Sequence, residues 1–177
     1  MSDINILVVV DTHHLKTAYL NPSKDPANPT AIAHDDLYMI CAATNLVDKQ
    51  ATADLIVKAT EGDTVGFRGM SISANSDDAV IAYRIQHWDP PGKTSDYVFD
   101  NFQTSAVTVP GAVWHVPSAG ALAVTHSPST FVSLASKVSH VGTEYFYLHI
   151  AVFQLDSDRE KQTLYGCYSW DPGIIVQ

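Results

Sequence analysis

The sequence predicts an all-β protein, a two-sheet antiparallel β-sandwich of jelly-roll or Greek-key type, with residues 1–177 forming a single domain. Three observations carry that expectation. Short runs rich in Val, Ile, Tyr and Phe recur along the chain. Clusters of Gly, Pro, Asn and Asp separate them, and no segment sustains the 3.6-residue apolar period of an amphipathic helix. A chain of this length buries roughly two thirds of its unfolded surface in one core, so neither a disulfide nor a metal is needed to hold it.

The first element, INILVVV (4–10), is almost continuously apolar, the pattern of a central strand covered on both faces. The stretch YLNPSKDPANPT (19–30) contains three prolines, each of which removes a backbone donor and turns the preceding residue away from helix. It reads as an irregular excursion. Residues 34–47 admit two readings, because HDD could open a helix while Leu37, Met39 and Cys41 alternate with Tyr38, Ile40 and Ala42. The alternation favours strand.

The middle of the chain offers TADLIVKA (52–59), VGFRGMSIS (65–73) and AVIAYRI (79–85), joined by EGDT and NSDD. Short connections of this composition predict antiparallel hairpins. In the third run Ala79, Ile81, Tyr83 and Ile85 share one face and Val80, Ala82, Arg84 and Gln86 the other. Residues 87–130 read as loop-rich, with WDPPGKTSD, VPGAVWHVPSAG and HSPST interrupting short strands near 97–103, 105–109 and 121–125. Long excursions carry binding surfaces more often than tight turns do. EYFYLHIAVFQL (144–155) is the strongest strand signal, and TLYGCYSW (163–170) is its partner across the turn DSDREKQ.

Ten Lys and Arg against nineteen Asp and Glu give a formal charge of −9. Such a balance opposes any general grip on nucleic acid or anionic lipid. The N-terminal run is too short and lacks the flanking basic region for a signal peptide or a membrane insertion, so a cytoplasmic protein is expected. Cys41 and Cys167 lie far apart and form no CxxC or Cys/His cluster, and both read as small buried hydrophobes.

The motif SANSDD raises the question of a cation. Calcium takes six to eight oxygens. Asn75, Asp77 and Asp78 supply some of them, and Asp156 and Asp158 could add more if the fold brought the two acidic turns together. The same residues are what any tight turn uses, and the spacing is not that of an EF-hand loop. The turn reading is preferred, with no cofactor assigned and calcium kept as the alternative.

Among the histidines, His13 and His14 would point to opposite faces of an extended chain, and His149 reads as a hydrogen-bonded core residue. His87, beside Trp88 and Asp89, is the better surface candidate. The segment VKATEGDTVGFRG (57–69) resembles a strand pair of blue copper proteins, but no histidine follows Cys167 and copper fails. No G-x-S-x-G elbow or phosphate-cradling glycine loop occurs, so no enzyme is expected and no catalytic residue is named. Trp88, Trp114 and Trp170 stand beside Pro, Asp or His, where an indole can plug a core, stack on a sugar or anchor an interface.

Taken in order, INILVVVDT (4–12), NPSKDPANPT (21–30), MIC (39–41), TADL (52–55), GDTVGFRGMSI (62–72), NSDDAVIAY (75–83), GTEYFY (142–147), LDSD (155–158) and YSWDP (168–172) resemble the AidA/PixA family of bacterial inclusion body proteins. Two departures stand out. Leu20 occupies a position that is usually proline, and residues 49–51 lack the expected glycines. The resemblance implies a β-sandwich without enzymatic activity, made under quorum-sensing control. It further implies a homo-oligomer that accumulates in inclusions, and it supplies no site residues. The alternative from another class is a lectin-like module holding glycans, with or without calcium, through Asn75, Asp77, Asp78, His87, Trp88 and Trp114.

Overall fold

A computed structural model describes residues 1–88, 97–115 and 123–177. In chain order its elements are β1 (Asp3–Val10), α1 (Thr12–Ala18), β2 (Thr30–Ala31), a 3-10 turn (His34–Asp36), β3 (Leu37–Cys41), β4 (Leu46–Asp48), β5 (Asp54–Val57), β6 (Thr64–Ser71), β7 (Asp78–His87), β8 (Gln103–His115), β9 (Ala123–Lys137), β10 (Gly142–Leu155), β11 (Gln162–Trp170) and β12 (Gly173–Val176). They form two packed sheets. One is five-stranded in the order β3-β1-β6-β9-β8, and the other is seven-stranded in the order β2-β11-β10-β12-β5-β4, with β7 paired to β10.

The all-β sandwich is as expected, but the sheets are mixed rather than purely antiparallel. β1 runs parallel to β6, β2 to β11 and β5 to β12. Parallel pairing requires a crossover, and the chain between β1 and β6 supplies one by visiting the other sheet. For the same reason β5, β6 and β7 are not hairpin neighbours. β6 lies in the five-stranded sheet while β5 and β7 lie in the other, so the NSDD turn hands the chain from one layer to the next. At that crossing the layers touch closely: a Cβ on Gly69 would lie 3.1 Å from Val80 Cγ1 and 3.2 Å from the Ala82 nitrogen.

β1 is an interior strand, second of five between β3 and β6, but it is covered on one face and not on both as its apolar run predicts. Its inward residues Ile4, Ile6, Val8 and Val10 are buried, while Leu7 and Val9 on the outer face are only half covered and Asn5 is exposed. Residues 37–41 form the strand that their alternation predicts, with Leu37 and Met39 in the core. β10 and β11 pair antiparallel as expected. In β7 the two faces are not those of strict alternation. Ile150 pairs with Ala82 but His149 with Arg84, so a bulge at Tyr83 swaps the faces. Val80 and Ala82 therefore point inward with Ile85, and Ile81 is exposed.

Two local features escape a strand-only reading. The seven residues of α1 follow Asp11, whose carboxylate accepts the His14 amide at 3.0 Å, and Leu15 is its one large buried residue. His13 and His14 are thus helical, not extended. The sheets meet over Phe67 and Phe146, whose rings pack edge to face at 5.5 Å, with Phe102 against both, Phe99 against Phe102 and Leu134 opposite Phe67 in the ladder. Among the described residues, no helix is long and apolar enough to cross a membrane.

Candidate functional site

The acidic knot is a structural crossing. Ala74 and Asn75 adopt φ of 55° and 61°, a left-handed region that Asn tolerates well. Asn75 Oδ1 accepts from the Ser71 and Val80 amides at 2.9 and 3.0 Å, and its own amide donates to Ser71 Oγ at 2.9 Å. Asp78 is buried, with Thr12 Oγ1 donating to Oδ2 at 2.8 Å and Lys16 Nζ lying 2.8 Å from its carboxylate oxygens. Its charge is answered from α1. Asp77 is exposed, with Arg159 Nη2 at 3.7 Å.

The fold does bring the second acidic turn alongside the first. The Leu155 amide donates to the Asp77 carbonyl, and Gln162 Nε2 donates to the carbonyls of Asn75 and Ser76. Asp156 accepts from Thr163 Oγ1 at 2.8 Å with Lys161 Nζ at 3.9 Å, and Asp158 accepts from the Glu160 amide. The carboxylates therefore have their own donors. Among the described residues no three of His, Cys, Asp and Glu gather where they could hold a metal ion.

His87 is drawn inside. Its Nδ1 lies 2.6 Å from Oε1 of buried Glu144, its ring stacks on Tyr97 at 3.9 Å, and Glu144 Oε2 accepts from the Phe99 amide at 3.0 Å. Asp89 and most of the WDPPGKTSD segment lie outside the described residues, as do residues 116–120 of VPGAVWHVPSAG and the first two positions of the strand expected near 121–125. His149 is buried, but its Nδ1 finds no hydrogen-bond partner, and burial followed by the charge of Arg84 lowers its pKa. Burial works against ionisation of Asp36. Hydrogen bonds from Tyr19 Oη, His14 Nε2 and the Ala33 amide nevertheless hold its carboxyl below the ordinary range.

The tryptophans divide. Trp170 is fully buried, with Nε1 donating to the His34 carbonyl at 2.6 Å. Trp88 and Trp114 are exposed at 43% and 61%. Trp88 meets Tyr145 edge to face, and Trp114 belongs to a feature that the sequence reading took for loops.

That feature is an arm. β8 and β9 pair without a break from Gln103↔Ala135 to His115↔Ala123, yet β9 is joined to β6 only through Leu134 and the three residues after it. From Thr108↔Thr130 to Trp114↔Val124 the described arm stands in solvent on both faces, roughly 20 Å of two-stranded ribbon at about 3.3 Å per residue. One face carries Trp114 and Val124, the other Val109 and Val113, all at least 39% exposed. Residues 101–136 contain no Asp, Glu, Lys or Arg. That absence was the sequence signal available. Pro110 sits opposite Pro128, so neither residue offers an N–H.

Comparison with known proteins gives a consistent answer. The inclusion body protein family PixA matches residues 2–176. The solved structure of an inclusion body protein of that family from Burkholderia cenocepacia J2315 is 25% identical, covers 99% of this chain and 96% of its own, and superposes with a TM-score of 0.80. A structure of PbICP-C in complex with falcipain-2 aligns over 75% of this chain and 92% of its own at 13% identity, but its TM-score of 0.25 carries no weight. No curated protein matches.

Proposed function

The chain belongs to the PixA family of inclusion body proteins, and from that premise we propose that it works without catalysis, by copies of itself associating through the β8–β9 arm. The observation that carries this reading is the arm's surface. An isolated two-stranded ribbon is marginal in water, and natural edge strands are commonly protected by charged side chains. This arm has apolar residues on both faces and no charge between residues 101 and 136.

The charge distribution adds to the argument. Two molecules of net charge −9 repel as they approach, and the arm is a long surface on which no ionised carboxylate opposes contact. The opposed prolines interrupt the outer rows of donors, which favours packing through the faces over continuous strand addition.

The test is sedimentation velocity across a range of protein concentrations, with wild type compared to a Val113→Lys/Val124→Lys double variant. Both positions are exposed, so the variant should melt as wild type does. The expected result is an associating wild type and a monomeric variant that no longer forms inclusions when overproduced. Equal association of the two proteins would refute the proposal.

A further inference from the structure

A cleft of about 390 Å³ opens on the outer face of the seven-stranded sheet, lined among the described residues by His34, Trp88, Tyr145, Phe146, Tyr147 and Asp171. It lies on β10 and just beyond the end of β7, and none of its described linings belongs to the arm. Along β10, Tyr145 and Tyr147 alternate with buried Glu144, Phe146 and Leu148, so both phenol rings stand on the solvent side. Trp88, one residue beyond β7, meets Tyr145 at 6.2 Å between ring centroids and 89° between planes. The two rings make a floor and an upright wall.

The floor is fixed by its neighbour. Tyr145 pairs with Gly173, and a Cβ at that glycine would lie 2.7 Å from Tyr145 Cε1 and 2.6 Å from Asp54 Oδ1. Only glycine lets the ring rest directly on the β12 backbone. The other side of the cleft is polar. His34 Nδ1 lies 2.9 Å from the Asp171 carbonyl oxygen and 3.5 Å from its Oδ1, while His34 Nε2 lies 3.4 Å from Asp54 Oδ1, an atom with no hydrogen-bond partner. The Asp171 side chain is 57% exposed.

We propose that this cleft is a binding site for a pyranose sugar, which lays its C–H face on one of the two perpendicular rings Tyr145 and Trp88, sets its edge against the other and against Tyr147, and donates ring hydroxyls to the Asp171 carboxylate. Sugars present one apolar face and a rim of donors and acceptors. The cleft offers the complement of both, with rings already held in place before the ligand arrives. A compact organic cation is the competing occupant for aromatic rings beside a carboxylate. The Trp88–Tyr145 edge-to-face contact already occupies part of the ring surface that an aromatic cage would turn toward a cation. The site uses neither acidic turn and needs no calcium.

The experiment is saturation-transfer NMR on the full chain in EDTA, with methyl glycosides of glucose, galactose, mannose, fucose and N-acetylglucosamine, and with choline as a separate arm. Trp88→Ala, Tyr147→Ala and Asp171→Asn are compared with Trp114→Ala, and thermal melts verify folding. At least one glycoside should bind wild type and Trp114→Ala, and about tenfold more weakly once a stacking ring is removed. Binding should also fall in Asp171→Asn with the melting midpoint unchanged. The proposal is overturned if no glycoside binds, if choline binds in their place, or if binding survives in both Trp88→Ala and Asp171→Asn.

Discussion

Asp78 is the residue at which the crossing reading and the cation reading part most clearly. Replacing it with Asn keeps the shape but removes the charge that faces Lys16 and leaves Thr12 with a weaker acceptor. Both partners are largely buried: the Lys16 and Asp78 side chains are 24% and 12% exposed, and Thr12 is 7% exposed. Breaking a fully buried pair costs about 3–5 kcal/mol, and leaving a buried polar group without its partner about 1–3 kcal/mol. The remaining exposure of Lys16 allows some rehydration, so a loss of about 2–4 kcal/mol is expected. For a protein of this size that is a fall in melting midpoint of roughly 4–16 °C. The assay is urea and thermal unfolding of Asp78→Asn, Asp77→Asn, Lys16→Met and the Asp78→Asn/Lys16→Met double variant, each in EDTA and in millimolar calcium. Asp77→Asn should lie within about 0.5 kcal/mol of wild type, because its side chain is 71% exposed. The double variant should recover part of the Asp78→Asn loss. Equal effects at the two aspartates, or a wild type stabilised by calcium only while Asp78 is present, would refute the reasoning.

Other substitutions test separate parts of the molecule. His149 is buried with a lowered pKa, so below about pH 6.5 the unfolded chain takes up a proton that the folded state resists, and stability should fall as pH drops from there through the folded pKa. A His149→Gln variant should lose that part of the pH dependence, measured as the midpoint between pH 7.5 and 5. Glu144→Ala strips acceptors from His87 and from the Phe99 amide inside the core, and should cost about 2–4 kcal/mol in chemical unfolding. Gly173→Ala should lower the melting midpoint and displace the Tyr145 ring, visible as shifted aromatic resonances of Tyr145 and Trp88.

The parts of the fold legible in the sequence are those where burial imposes a period. β10 and β11 could be paired from their apolar runs and the polar turn between them, and β3 from the alternation of Leu37 and Met39. The NSDD residues could be read as a turn, since Asn75 supplies its left-handed conformation and backbone contacts. What a turn does not encode locally is which sheet receives the next strand, so the crossing from β6 to β7 and the parallel pairs were not legible. The bulge at Tyr83 is likewise a property of two strands together. α1 is too short to show a helical period, with Leu15 its one large buried residue. The arm was missed because a ribbon exposed on both faces has no inside to impose alternation, and Pro110, Gly111 and Pro128 look like punctuation when read singly. Of the residues named in advance, Trp88 lies in the aromatic cleft and Trp114 on the arm. The other linings of the cleft come from elements far apart in sequence.

The prolines facing each other across the arm bear on what kind of solid such a protein can form. Amyloid grows because each chain offers the next an uninterrupted line of backbone donors and acceptors. Pro110 and Pro128 break that line at the same height on both strands. Copies stacked through this arm would keep their own folds and meet as finished objects, side chain against side chain. If copies associate through the arm as proposed, a deposit built that way would hold natively folded protein, able to redissolve when conditions change, and would not be a cross-β fibre.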